Sequence, residues 1–134
     1  MYANSVYKGM EFFEAPAFTR LLPTYLDDDE YRQLQTWLGA SPEDGDVVPG
    51  SGGFRKMRWT DPRRRKGRRG GLGIIYYYFP AEQQIWLVTL YGKDDALDLT
   101  AKEKQVLKRT IDAEIRARQG AMRHRREPHG GKRK

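Results

Sequence analysis

The spacing of apolar and polar positions changes several times along the chain, and each change predicts an element. Met10 to Glu14 (MEFFE) predicts a short strand ending just before a proline. Pro16 suits the first position of a helix, where its missing N–H would have no partner anyway. Phe18, Leu21, Leu22 and Tyr25 then follow the i, i+3, i+4, i+7 spacing of one helical face, and Pro23 predicts an end or a kink there. The acidic run Asp27 to Glu30 suits the N-terminus of a second helix, because the backbone dipole is positive at that end. Tyr31, Leu34, Trp37 and Leu38 form its apolar stripe, and Gly39 is the expected stop. Residues 40–53 (ASPEDGDVVPGSGG) are rich in Gly, Pro and Asp and predict a loop.

Three strands are expected next: Phe54 to Trp59, Leu72 to Phe79 and Gln84 to Tyr91. The second reads IIYYYF and the third IWLVTLY, the β-branched and aromatic content of buried strands. PAEQQ joins those two as a hairpin connection, whereas TDPRRRKGRRGG between the first two predicts an extended loop of crowded like charge. Thr100 and Glu103 form a T-x-x-E capping box. Leu107, Ile111 and Ile115 then recur every four residues with Val106 beside them, predicting a helix to about Arg118. The order is strand, helix, helix, three strands, helix: an α+β domain over residues 1–117, followed by a basic, disordered tail over 118–134.

Charge sharpens this picture. The chain of 134 residues has a formal net charge of +7, but the charge is segregated. Residues 1–50 hold 3 basic and 9 acidic side chains, and residues 51–80 hold 9 basic and 1 acidic. Residues 81–117 nearly cancel at 6 against 7, and residues 118–134 hold 7 against 1. A basic centre of this kind is the expected footprint of a polyanion partner. Six cations in seven positions, Arg63, Arg64, Arg65, Lys66, Arg68 and Arg69, are its strongest part. They are expected to supply affinity and orientation toward a polyanion rather than sequence choice.

Composition excludes several chemistries. Without cysteine there is no disulfide framework, thiolate metal site or cysteine nucleophile. The two histidines, His124 and His129, lie in the polar tail, which argues against a histidine-centred active site or a zinc cluster. Consecutive carboxylates at 27–30 read as a solvated helix cap, since neighbours on a helix do not converge on one ion. GSGG at 50–53 lacks the Lys-Ser/Thr of a phosphate-binding loop and reads as a connector. No cofactor is implied. The N-terminal stretch has no secretory pattern and no apolar run is long enough to span a membrane, so a cytoplasmic protein is expected.

GGFRKMRW, the basic loop, GGLGIIYYYF, IWLVTLYGKDD and DLTAKEKQVLK together resemble the RelE/ParE superfamily, with the HigB and RelE-like toxins of type II toxin–antitoxin modules the nearest match. The resemblance covers most of residues 10–117. It implies a curved antiparallel sheet packed against N-terminal helices and a C-terminal helix. It also implies a toxin that cleaves mRNA on the ribosome without a metal, and a cognate helix-turn-helix antitoxin that neutralises it. Two other functions are compatible with the fold: a non-catalytic relative that binds RNA or protein through the same sheet, and a ParE-like gyrase inhibitor.

Metal-free RNA cleavage drives the ribose 2′-hydroxyl onto the adjacent phosphorus. It needs proton transfer at that hydroxyl and at the leaving 5′-oxygen, and positive charge around the phosphate. Clustered lysine and arginine can supply both, with guanidinium groups gripping phosphate oxygens in a bidentate manner. On the first central strand, period-two alternation assigns Lys56 and Arg58 to one face and Arg55, Met57 and Trp59 to the other. Lys56 and Arg58 match the paired basic residues that RelE-like toxins carry here. Lys56 is the expected proton-transfer residue and Arg58 the phosphate clamp; the alternative is a solvated charged face. Lys93 follows LYG, where the family presents a catalytic basic residue, and Gly92 lets the chain bend toward the same face.

Two positions depart from the family. Gly73 stands where an arginine is common, and no tyrosine follows Lys93 to stack on a base. Tyr91 or Tyr77 is the available substitute, although packing is the preferred reading of the YYY run. The tail is either a further RNA-contacting arm or a solubilising extension.

Overall fold

The computed structural model describes residues 3–59, 71–92 and 99–126. The chain is α+β, with a six-stranded mixed sheet and three helices. It divides into two compact units, the first comprising residues 1–48 and 53–98 and the second residues 49–52 and 99–134.

The first unit begins with a hairpin of β1 (Ala3–Tyr7) and β2 (Met10–Glu14). Lys8 and Gly9 form its two-residue turn, both with positive φ (53° and 84°), as a turn matched to the strand twist requires. The sequence reading omitted β1 because ANSVY has little apolar alternation and Lys-Gly is a weaker turn signal than Asn-Gly or Asp-Gly. After β2 the chain crosses through α1 (Pro16–Tyr25), α2 (Asp28–Ala40) and a two-residue strand, β3 (Asp46–Val47). It then lays down β4 (Arg55–Trp59), β5 (Leu72–Phe79) and β6 (Gln84–Tyr91). The spatial order is β1-β2-β6-β5-β4-β3.

The sheet is not wholly antiparallel, as the resemblance implied. β2 pairs parallel with β6, from Glu11 opposite Gln84 to Glu14 opposite Leu87. The two helices allow this, because a parallel partner must be reached by a long crossover. β2 enters α1 directly: the Ala15 N–H donates to the Leu87 carbonyl (2.9 Å), and Pro16 opens the helix. The helix passes through Pro23 and stops at Tyr25, so the proline deletes one ladder bond in the last turn.

α2 opens on a complete capping box, with Glu30 N–H donating to Asp27 Oδ1 and Asp27 N–H to Glu30 Oε1, both at 2.8 Å. It continues through Gly39 to Ala40. Glu14 ties both helices to β2 by accepting from the Thr19 and Tyr31 hydroxyls, each at 2.7 Å. Burial, and then the Glu14 carboxylate, raises the Tyr31 pKa far above the ordinary tyrosine value.

Phe18 of α1 and Leu34 and Leu38 of α2 join Phe12, Ile74, Tyr76 and Leu87 of the sheet in one core. Trp37, expected on that apolar stripe, is 44% exposed. Its indole N–H donates to Asp44 (3.3 Å), and its ring lies against Trp59 with centroids 6.1 Å apart.

The second unit is built on α3 (Ala101–Arg126). Thr100 and Glu103 close the expected capping box at 2.9 and 3.1 Å. Leu107, Ile111 and Ile115 form the more covered stripe, while Val106 lies off it at 48% exposure. The helix extends past the expected end at Arg118 to Arg126, because Gln119, Ala121 and Met122 favour helix and Gly120 alone interrupts by only about 1 kcal/mol. Arg118 itself bonds Glu114 one turn earlier at 2.7 Å. The segment 49–52 rests on this helix: a Cβ on Gly52 would lie 2.8 Å from Ile111 Cγ2. GSGG therefore serves close packing, as a connector.

Candidate nucleic-acid interface

Five residues, R-K-M-R-W, make β4, and their alternation sets up the candidate site. Met57 and Trp59 turn into the helix-covered core. Arg55 shares that side, where its guanidinium donates to the carbonyls of Gly45 (2.7 Å) and Glu43 (3.2 Å). Tyr76, opposite Arg55 on β5, holds the same loop. Its hydroxyl donates to the Pro42 carbonyl and accepts from the Gly45 N–H, both at 2.9 Å, and burial raises its pKa.

This anchoring positions β3. Asp46 comes to stand opposite Lys56 and Val47 opposite Arg55. Directly opposed residues share a face, with Cβ atoms about 5 Å apart, so Asp46 and Lys56 lie on the same side of the sheet.

On the other side of β4, Lys56 is half-buried and Arg58 is exposed. The register defines two adjacent rows across the strands. One runs Asp46, Lys56, Ile75, Thr89, and the next runs Arg58, Gly73, Tyr91. Phe54 precedes Lys56 on this face and contacts Tyr77 (5.1 Å between centroids), which contacts Phe79 (4.7 Å), which in turn contacts Trp86 (5.3 Å). The face is thus aromatic toward the Phe54 end and polar toward the Arg58 end. Tyr77 is engaged in cross-strand packing, as the preferred reading held.

Tyr91 is 6% exposed, and the tip of its ring covers Gly73. A Cβ on that glycine would lie 2.1 Å from Tyr91 Cζ. The absence of a side chain at position 73 therefore has a steric counterpart in the strand beside it. No sequence signal revealed this pairing, nor that of Asp46 with Lys56, since both depend on strand register.

The remaining candidate residues, Arg63, Arg64, Arg65, Lys66, Arg68, Arg69 and Lys93, lie outside the described residues. The described chain stops after Trp59 and resumes before Leu72, two residues that are paired. It stops again after Gly92, next to Tyr91. Both undescribed segments thus join the chain at the Arg58–Gly73–Tyr91 end of the ladder.

A concavity of about 300 Å³ is lined by Leu22, Pro23, Leu26, Asp27, Asp28 and Tyr31 of the helical layer. Its charged walls are acidic, the wrong sign for a phosphate. No described helix is long and apolar enough to cross a membrane. No protein-family model matches the chain.

Proposed function

We propose that this protein is a RelE-like toxin of a type II toxin–antitoxin system, an endoribonuclease that cleaves mRNA on the ribosome without a metal. The observation that carries this reading is the alternation along β4. Arg55 is spent on the loop carbonyls, while Lys56 and Arg58 share the opposite face, at the end of the ladder where the most basic stretch of the sequence attaches. Convergent cations of this kind suit a ribose–phosphate.

Arg58 grips the nonbridging oxygens of the scissile phosphate, and Lys56 serves proton transfer. The 2′-oxygen bonds to phosphorus as the bond to the 5′-oxygen breaks. The 2′-hydroxyl gives up a proton and the 5′-oxygen gains one, leaving a 2′,3′-cyclic phosphate and a 5′-hydroxyl. Lys93 joins the site from beyond Gly92. The arginine-rich stretch holds the RNA backbone, and a helix-turn-helix antitoxin silences the protein.

The test is to induce the chain in cells and map transcript 5′ ends against a Lys56→Ala, Arg58→Ala double variant. Cuts inside translated regions are expected, and the double variant should lose them about a hundredfold or more, the usual scale for removing acid–base and phosphate-binding groups together. Intact transcripts with the unaltered chain would sink the nuclease reading. DNA damage in that case would point to gyrase, and its absence to a non-catalytic binder.

A further inference from the structure

Two strands bound the sheet, β1 on one side and β3 on the other, and their edges differ. β3 is two residues long and carries Asp46, the short, charged kind of edge that discourages further pairing. β1 runs from Ala3 to Tyr7 in unbroken register with β2, without a charged residue, a proline or a glycine. Ser5 and Val6 are exposed, Val6 at 67%. An edge of that length and composition is a template for one more strand.

The register says which backbone groups β1 offers. In an antiparallel pair, residues that exchange both bonds with their partner alternate with residues whose N–H and C=O point away. Tyr7 and Met10 flank a two-residue turn and are a bonded pair, so Ser5–Phe12 and Ala3–Glu14 are bonded too. Val6–Glu11 and Asn4–Phe13 are the pairs between them. The Glu11 N–H agrees, since it donates away from β1 to the Gln83 carbonyl at 2.9 Å. Val6 and Asn4 therefore direct two N–H and two C=O groups out of the sheet, and no backbone partner meets them among the described residues.

Those four groups are self-complementary. About a two-fold axis through Ser5, Asn4 stands opposite Val6 of a second copy, and Val6 opposite its Asn4. Each pairing joins two outward-facing residues and exchanges two bonds, so the seam makes four. Within β1 no other antiparallel register engages all four groups. Ser5 meets its own counterpart at the axis, in the close pairing where side chains crowd. A small residue fits there, and paired serines can hydrogen-bond. Ser5 Oγ already accepts from Gln35 Nε2 (3.4 Å), which leaves its O–H to donate across the axis. No charge within either strand meets a like charge.

We infer that β1 is a homodimer seam, at which a second copy of this chain adds its own β1 antiparallel across Ser5 and joins the two sheets into one. The seam lies at the edge farthest from β3 and β4, so it stands independently of the nuclease reading. Four ladder bonds on a five-residue strand make a small interface, and association of that class is reversible on dilution.

Sedimentation velocity of the full chain should show monomer in dilute solution and dimer in concentrated solution. Val6→Pro removes one outward N–H per copy and spares the bonds to β2, a position where an edge strand accepts proline. It should weaken association about tenfold or more, through the loss of two of the four bonds, while the dilute monomer melts as before. A chain that stays monomeric at every concentration overturns the inference. Undiminished dimerisation of Val6→Pro does the same, because the interface then lies elsewhere.

Amide exchange locates the seam without any substitution. Asn4 and Val6 should exchange slowly in concentrated protein and quickly in dilute protein, whereas Ser5 and Tyr7, bonded to β2, should be slow in both. Exchange at Asn4 and Val6 that ignores concentration would sink the proposal. Fast throughout, it shows a bare edge; slow throughout, it shows that another segment of the same chain covers β1.

Discussion

Arg55 and Arg58 sit on one short strand and serve different ends. Arg55 lies on the helix-covered face, with its guanidinium fixed on two loop carbonyls. Arg58 lies on the other face, exposed, in a row with a glycine and a tyrosine tip. Two residues of the same type, three positions apart, are thereby placed on opposite faces by strand periodicity. The difference teaches that in a basic strand the face each cation takes, and not its residue type, decides which neighbours it meets.

The sharpest way to break this comparison is to truncate each arginine alone. Arg58→Ala is expected to lower mRNA cleavage roughly ten- to hundredfold, the value of one charge-assisted phosphate contact, while its thermal midpoint stays put. Arg55→Ala should do the reverse. It frees the Gly45 carbonyl and lowers stability by about 1–2 kcal/mol in urea unfolding, with cleavage in the folded fraction little changed. Equal effects of the two on both readouts would abolish the distinction.

Tyr76→Phe sharpens the structural side. It strands the Pro42 carbonyl and the Gly45 N–H, and a loss of about 1–3 kcal/mol is expected. Because that loop sets the position of β3, amide exchange at Asp46 and Val47 should quicken more than exchange within β5. Uniform quickening throughout the sheet would mean that the tyrosine acts on the whole core rather than on the loop.

The mildest effect is in pH. Tyr31 and Tyr76 both have pKa values raised by burial. Unfolded tyrosines lose their protons near pH 10, before the folded ones do, so alkali favours the unfolded chain. The stability these groups confer is fully present below that range and declines as pH rises through it. Melting should therefore fall above about pH 10. Tyr31→Phe, which cannot ionise, should flatten that decline; an unchanged slope would remove Tyr31 from the account.

Most of the fold was legible in the sequence for identifiable reasons. β5 and β6 match their expected bounds because their apolar runs are long and flanked by turn residues. Asp27 and Thr100 announced their helices because capping boxes are local chemistry. The division of β4 into Lys56/Arg58 and Met57/Trp59 also followed from alternation alone. What escaped detection needed information from distant residues. β1 is defined by its partner rather than by its own composition. The parallel seam joins residues 73 positions apart. Tyr91 over Gly73 requires the β5–β6 register, which a shift between Ile75 and Tyr76 adjusts. At the candidate site the sequence therefore disclosed which cations were available, and the register disclosed their neighbours.

That parallel seam bears on how the chain matures. The β1–β2 hairpin is made well before the strand it must dock beside, β6, which begins only at Gln84. Until then one flank of β2 has no partner, and synthesis proceeds through both covering helices before the sheet can close. Contacts of such long range are made late and slowly. A product interrupted before Gln84 would hold the hairpin, both helices and most of the sheet, yet lack the strand that unites them. Acquisition of tertiary order is accordingly tied to the arrival of a single segment, β6.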